Sequence, residues 1–556
     1  MRNEVRMKKR GLCLLLALLL LLCACQSGTP AQTGQTGKPE DTEPEAAWSF
    51  NTEQPAGLRE NALSLNGTWE LYVDSAEKTQ EYKGDAGTGE ARTLLCGNLC
   101  GMTLTLPKLT ETDFVKARAW IAAEETAEAA DGADIALRVR VNGGAWCETD
   151  ISYYQDGRPH WIDLCVNASE LREGENRIEI TSNAADGVWL LGDAGQDESH
   201  SLRLRTASCG DSWVSAQVPS AAEGQFELSY ADRVYPDTFN GVLWYRKSFS
   251  VQELTAEQWW LCFGAVDYRA EVWLNGQFLG SHENGYTAFR FCVTPALRQG
   301  ENTLVVRVVD QDWNSGLTED DIHIKETLAG FTQDTRKLNY CGIWQSVWLE
   351  PRGAVAIDDL YVATSDARNG ELDAAITLYN PTEEAIRTVL SVSVEEAQEA
   401  AAQQEITVPA KGKSILYVPL KVQSPKLWSA DSPALYTLRV TADCEGGSDL
   451  LCQKFGIRSV AVSGRKVLLN GRGIFLTGML HWGSYYENYT SAVAAERVKY
   501  EIEELKRAGF NAIKYCLFSP PDYLLDLCDE LGMYVYIEYP IWNVNETDAF
   551  FERAYL

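Results

Sequence analysis

The residues able to do chemistry in this sequence are few, and they gather late in the chain. Five histidines, His160, His200, His282, His323 and His481, form no HExxH or other ligand spacing, and 15 cysteines include no CxxC pair, which argues against a zinc site. No glycine-rich nucleotide loop occurs, so no cofactor is expected. His481, Trp482, the segment from Tyr515 to Ser519, Glu538 and Trp542 remain, each at or just beyond the end of a short apolar run. In α/β folds the carboxyl ends of strands carry the reacting and binding side chains, so these positions matter only if those runs are parallel strands.

The flanking pattern says that they are. SAVAAERVKYEIEELKRAGF at 491 to 510 places Val498, Ile502 and Leu505 at i, i+4 and i+7, the stripe of an amphipathic helix opened by Ser491 and closed by Gly509. PPDYLLDLCDELG at 520 to 532 is a second helix, with Pro at its start and Gly at its end. FLTGML, NAIKYCLF and MYVYIEYPIW stand before, between and after them as buried strands, giving β-α-β-α-β and hence a parallel α/β layer.

Everything before this layer is β-rich. From about Leu63 to Gln453, short alternating runs rich in Val, Ile, Thr, Trp and Tyr are separated by Asn-Gly or Gly-rich turns, the pattern of β-sandwiches. ALRVRVNGGAW at 136 to 146 and AEVWLNGQFLG at 270 to 280 each place Asn-Gly between apolar runs. Each is followed by a matching segment, CVNASELREGENRIEI from 165 and CVTPALRQGENTLVVRV from 292, an internal repeat that aligns Asn176 with Asn302. SLNGTWELYVD at 64 to 74 finds its continuation, SWVSAQVPS at 212 to 220, only after the first repeat, which implies that residues 80–206 form a sandwich inserted into a host domain of 49–79 and 207–353. The alternative is two sequential domains. A third, immunoglobulin-like sandwich is expected over 354–460, where the helix-prone VEEAQEAAAQQEIT reads as an exposed strand pair because both flanks are strands.

The chain has 556 residues and a formal net charge of −30, too long for one ordinary domain and too acidic for nucleic acid without a basic patch, which is not found. Neutral partners fit better. Residues 1–24 read as an export signal, with five basic residues before an apolar run from Leu12 to Leu22 that is too short to span a membrane. Leu22-Cys23-Ala24-Cys25 resembles a bacterial lipoprotein box with Cys25 as the lipid acceptor, and residues 25–48 read as a flexible tether. These features imply an extracytoplasmic protein, lipid-anchored to the bacterial cell membrane. Export permits disulfides, with Cys96–Cys100 and Cys444–Cys452 as local candidates, and buried free thiols explain the same positions.

LSLNGTWELY, GVLWYRKSF, AEVWLNGQFLGSHENGYTAF, GENTLVVRV, GIWQSVWLEP, LWSADSPALYTL and KFGIRSV occur in series, followed by LLNGRGIFLTGMLHWG, KRAGFNAIKY and LCDELGMYVYIE. In this order they resemble glycoside hydrolase family 2, the β-galactosidase, β-glucuronidase and β-mannosidase group, over residues 60 to 75 and 210 to 556. The resemblance implies a jelly-roll sugar-binding domain, an immunoglobulin-like domain and a (β/α)8 barrel begun at 461–556, acting on a carbohydrate substrate. Family members use two Glu residues, an acid/base near the end of the fourth barrel strand and a nucleophile near the end of the seventh. A full barrel takes about 250 residues, so both are expected beyond Leu556, and no catalytic residue is assigned within the chain. Asn545-Glu546 copies the family's Asn-Glu pair but follows the third strand too closely, and reads as a first-turn helix acid.

The resemblance also gives the strand-end residues roles. His481 and Trp482 match the family's polar and aromatic positions after the first strand, with core packing as the alternative. Glu538 matches a position that binds sugar hydroxyls or a structural cation, or serves as a buried structural carboxylate. Trp542 offers a flat face to a pyranose, or simply buried area. Asp310, in the jelly roll, resembles an acid that reaches the barrel site, or else is an exposed loop acid beside Asp312. CLFSPPD lacks the family's frequent Ser-His-Tyr-Pro, a departure at the galactosidase-like subsite. Two functions of different class follow: an exported retaining β-glycosidase, or a non-catalytic carbohydrate-binding surface lipoprotein.

Overall fold

The computed structural model describes residues 59, 62–74, 78–83, 92–129, 134–192, 202–222, 241–310, 341–483, 495–516 and 518–538. Cys25 and the expected signal and tether, Ser491, Trp542 and Asn545-Glu546 lie outside the described residues.

The repeated Asn-Gly segments build the same local device twice. Asn142 and Asn275 have φ of 51° and 53° and precede glycines at 76° and 83°, the left-handed backbone of a hairpin turn, which spans two residues between Leu274 and Gln277 and a longer loop between Val139 and Cys147. Their side chains then reach across the sheet: Asn142 Nδ2 donates to Asn176 Oδ1 at 3.0 Å, and Asn275 Nδ2 to Asn302 Oδ1 at 2.8 Å. Asn176 and Asn302 are fully buried and donate to the carbonyls of Arg172 and Gly174, and of Arg298 and Gly300, at 2.7 to 3.0 Å. A buried amide with its partners supplied holds each hairpin against the next strand, which is why the two asparagines align in sequence.

The host sandwich pairs a six-stranded sheet with a four-stranded one. In the larger sheet, Gly67–Asp74 lies between Val214–Val218 and Gly241–Val251, so the strand before residues 78–208 is flanked by two strands that follow them. The strands within 78–208 form a second sandwich with its own core, from Leu95 to Leu204. Where the two sandwiches meet, Phe114 packs on Trp244 and Trp273 at ring distances of 5.1 and 5.4 Å. Beside these rings is a buried ionic cluster. Lys116 Nζ lies 3.2 Å from Asp163 and also binds Glu271, Arg118 lies 2.9 Å from Asp163, Arg269 binds Asp163, and Arg307 donates to Glu271 at 3.0 Å. Burial alone would raise the Asp163 carboxyl, but Lys116, Arg269 and Arg118 hold it well below the usual range.

Residues 356–455 form the third sandwich, three strands against four. Its helix-prone segment is the strand Ala397–Val408, paired along Ile386–Val394, because ladder pairing outweighs propensity differences of a few tenths of a kcal/mol per residue. Arg59 ties this sandwich to the host: its Nε donates to Glu350 at 3.3 Å, while its other nitrogens bind Asp449 and the Ile357 carbonyl.

The last described part is the α/β layer: β1 (Gly478–His481), α1 (Ala495–Arg507), β2 (Ala512–Tyr515), α2 (Asp522–Leu531) and β3 (Tyr534–Ile537). The three strands are parallel, with β2 in the centre. α1 buries Val498, Ile502 and Leu505, the predicted stripe, and α2 ends on Gly532 at φ 78°. Lys506 Nζ donates to the carbonyls of Ala430 at 2.9 Å and Gly532 at 3.2 Å, joining α1 to the end of α2 and to the third sandwich.

Two expectations need correction. The third strand is not a buried run: among the described residues it is Tyr534–Ile537, and Tyr536 and Ile537, on opposite faces, are 51% and 47% exposed, because this strand is the edge of its sheet. The proposed local disulfides are free thiols. Cys444 is opposite Gly447 while Cys452 is opposite Arg439, and Cys100 lies in the second sandwich's core while Cys96 Sγ faces the Val188 carbonyl. No helix among the described residues is long and apolar enough to cross a membrane.

Two neutralising substitutions should move stability in opposite directions. Asp163→Asn leaves three buried cations short of an anion and should cost about 3 kcal/mol or more at pH 7, read from thermal or urea unfolding. Because the folded carboxyl is depressed, this contribution is present above the unfolded value near pH ~4 and shrinks as the pH falls below it. Asp526 is the reverse case: burial, then Asp522, Asp529 and Glu530, push its carboxyl up to about 6. Asp526→Asn should therefore stabilise by about 1 kcal/mol at pH 7, after allowing for solvent screening, and do nothing near pH 4, where the native carboxyl is already neutral.

Candidate active site

The register of the parallel sheet places His481, Tyr515 and Ile537 opposite one another, so β1, β2 and β3 end level. Short strands rich in Ile, Val and Tyr run between helices, and their polar continuations emerge at one rim. That rim carries His481, Trp482 and Glu538.

His481 is a positioned imidazole. Its Nδ1 accepts from the Gly483 N–H at 2.8 Å, its Nε2 lies 3.4 Å from Glu501 Oε1 on α1, and its ring meets the Tyr515 ring edge-on at 5.6 Å. An Nδ1 that accepts from a backbone amide leaves the proton on Nε2, facing the carboxylate. Burial pushes the Tyr515 hydroxyl far up, so it stays protonated. Trp482 follows, half-buried.

Glu538 continues β3. Its N–H donates to the Tyr515 carbonyl at 2.9 Å, and its carbonyl accepts from Phe518 at 3.2 Å, which fixes its backbone against β2. Its carboxylate lies 3.2 Å from Lys514 Nζ and accepts from the Cys516 thiol at 3.0 Å. Burial, then this contact with Glu538, pushes the Cys516 thiol up to about 11, so it serves as a donor and not as a nucleophile. A half-buried carboxylate with one cation and one thiol donor retains acceptor capacity for a hydroxyl-bearing ligand.

The rim is held by the host sandwich. Trp344 and Tyr286 pack on Phe518 at ring distances of 6.2 and 6.0 Å, Trp344 Nε1 donates to the Gly285 carbonyl at 2.8 Å, and Ala221 and Ala265 join the same core. Asp310 comes from that sandwich. It is the last residue of Gly300–Asp310, opposite Gly241, and is fully buried, which removes the exposed-loop alternative. Thus His481, Trp482 and Glu538 share one rim, Asp310 belongs to the supporting module, and Trp542 lies outside the described residues. Sequence reading missed Glu501 and Lys514, while Cys516 and Phe518 fall within the Tyr515 to Ser519 segment that it singled out. Lys514 was findable as the one charge between Ile513 and Tyr515 in a strand that otherwise reads as buried.

Three family models match in series: "Glycosyl hydrolases family 2, sugar binding domain" over residues 197–352, "Glycosyl hydrolases family 2" over 355–458, and "Glycosyl hydrolases family 2, TIM barrel domain" over 460–553. The chain belongs to glycoside hydrolase family 2. Its relatives in the family include a Bacteroides ovatus β-galactosidase, 31% identical over 330 residues, which are 57% of this chain and 36% of that protein. A Clostridium acetobutylicum β-galactosidase is 26% identical over 386 residues, 65% of this chain and 40% of that one. The chain thus spans two fifths or less of the length of these two relatives. Among solved structures, a Dictyoglomus thermophilum β-D-mannosidase matches with TM-score 0.52 at 21% identity, over 62% of this chain and 48% of that chain. A Bacteroides uniformis β-glucuronidase matches with TM-score 0.51 at 22% identity, over 65% and 41%. These two likenesses establish the fold. This chain accordingly carries β-sandwich modules followed by part of a TIM barrel.

The contact between Gly483 and Phe518 makes a test of how the rim is held. Gly483 has φ 74°, and a Cβ there would lie 2.3 Å from the Phe518 ring, whereas Gly509 at φ 89° has nothing within 4 Å. Gly483→Ala should cost about 2 kcal/mol or more and raise amide exchange across β1 and β2, while Gly509→Ala should cost about 1 kcal/mol with unchanged exchange at the rim, both read by thermal unfolding and hydrogen exchange.

Proposed function

We propose that this chain is the supporting and substrate-facing part of an exported, membrane-anchored retaining β-glycosidase that acts on oligosaccharides or glycans. Membership of glycoside hydrolase family 2 rests on the serial match of all three modules. In the proposed mechanism His481, Trp482 and Glu538 bind the sugar at the rim: the carboxylate accepts from hydroxyls, and the indole covers an apolar face of the ring. The bond is broken by two Glu carboxyls ~5 to 5.5 Å apart, one protonating the leaving oxygen and the other attacking the anomeric carbon, so that two inversions give retention. These carboxyls belong to barrel strands expected beyond Leu556.

A single observation supports this reading most strongly. On the face of the parallel sheet turned away from the helices, Leu480, Lys514 and Tyr536 form one register row, and Leu480 and Tyr536 are 47% and 51% exposed. Phe475, just ahead of β1, is 82% exposed. An open row with Leu480 and Tyr536 on either side of Lys514, on a parallel sheet, suits the inward face of a barrel whose other strands would cover it. The anchor rests on the Leu-Cys-Ala-Cys sequence ending at Cys25.

Residues 25–556 alone should not turn over nitrophenyl β-glycosides, whereas the product of the reading frame continued past codon 556 should hydrolyse one of them with retention, followed by NMR of the released sugar. Enzyme-dependent turnover by residues 25–556 would refute the assignment. A stop codon after 556, joined to sugar binding without cleavage, would favour the surface binder instead.

A further inference from the structure

The three-stranded sheet of the third sandwich turns an unusual face to solvent. Along Ala356–Asp366, Glu371–Asn380 and Gly412–Lys421, the register aligns Tyr361 with Ala375 and Ala375 with Tyr417. Tyr361 is 62% exposed, Tyr417 73%, and Ile415, two residues before Tyr417, 62%. Between the flanking strands, the central one contributes only Ala375 and Thr377 at these rows. The result is a shallow trough with a floor of small side chains and walls that carry two phenols. Two inter-strand spacings separate the walls, about 9.5 Å. A pyranose stacked between two rings needs ~7 to 8 Å, two van der Waals contacts of ~3.5 to 4 Å, which tyrosines on either side of an alanine can supply.

The polar groups fit the same ligand. Asp359 stands in the Thr377–Ile415 row and Asp373 in the Ala363–Pro419 row, one on each side of the tyrosine row, both exposed and, among the described residues, without an ion-pair partner. Two open carboxylates beside an aromatic trough accept from hydroxyls and repel anions. A second copy of the chain is a poor occupant. The three exposed side chains offer roughly 400 Å² of surface, about half of what each partner of a stable dimer buries, and a two-fold contact would oppose the same aspartates on chains of net charge −30.

We propose that the Tyr361–Ala375–Tyr417 trough is a second carbohydrate site, separate from the barrel rim, that takes a neutral pyranose chain and holds a neutral polysaccharide beside the enzyme. The site is read from this sheet alone and stands whether or not the rim is catalytic.

Affinity electrophoresis of residues 25–556 through gels containing β-galactan, xylan, mannan or polygalacturonate provides the test. At least one neutral polysaccharide should retard the protein and polygalacturonate should not. Tyr361→Ala and Tyr417→Ala should each weaken the retardation constant about tenfold with an unchanged melting temperature, and Gln403→Ala, exposed on the other sheet of the same sandwich, should leave it unchanged. Tyr417→Phe, which keeps the ring, should retain most of the binding, as a merely structural role of the hydroxyl would not allow. The proposal is overturned if no neutral polysaccharide retards the protein, if the double alanine variant is retarded like the wild type, if polygalacturonate is preferred, or if sedimentation shows a dimer that the tyrosine variants dissolve.

Discussion

The packing of Phe518 between the host sandwich and the strand ends is the constraint from which the candidate site takes its shape. Three parallel strands make a small sheet with little of its own to fix where its rim points. Phe518 follows β2, meets Trp344 and Tyr286 from the sandwich, and presses on Gly483, whose amide in turn holds His481 Nδ1. Glu538 is fixed by the same segment, since its carbonyl accepts from the Phe518 amide. An aromatic core contact between modules thus orients the polar groups at the strand ends, a division between support and chemistry common where sites sit on strand ends.

The modules are joined by two means that differ energetically. The rim joint is apolar, so it gains from area and tolerates pH. The joint between the host and second sandwiches adds to its aromatic contact an ionic cluster, with Asp163 and Glu271 shared among Lys116, Arg118, Arg269 and Arg307 at a place nearly free of solvent. Such a cluster is weak evidence for net stability, because desolvation offsets most of the attraction, but it strongly penalises any displacement that separates the partners. It therefore specifies one relative placement of the two sandwiches. Arg59, with Glu350, Asp449 and the Ile357 carbonyl, does the same between the host and third sandwiches.

Much of this was legible in the sequence because local chemistry and the fold agree. Asn-Gly between apolar runs required two hairpins, and the aligned Asn176 and Asn302 required two copies of one turn lock. Val498, Ile502 and Leu505 required a helix facing the parallel sheet, and Gly532 its end. The illegible features were those set by partners distant in the chain. Nothing near Asp310 distinguishes a buried strand end from a loop acid, since its burial comes from the neighbouring strands of its sheet. The thiols of Cys96, Cys100, Cys444 and Cys452 are spaced like local pairs, yet strand register assigns them different neighbours. The exposed Tyr536 reads as core because its sequence is that of a barrel strand, and only the absence of a covering layer among the described residues shows otherwise.

The central claim is that the rim binds sugar while the bond-breaking glutamates come from elsewhere in the barrel. Trapping with 2-deoxy-2-fluoro glycosyl fluorides, followed by peptide mass mapping, tests it most directly on the product of the frame continued past codon 556. The account predicts that the glycosyl adduct forms on a glutamate after Leu556, and that no peptide within residues 25–556 carries it. An adduct on Glu538 or Glu501 would contradict it, since one of the rim's own acids would then be the nucleophile.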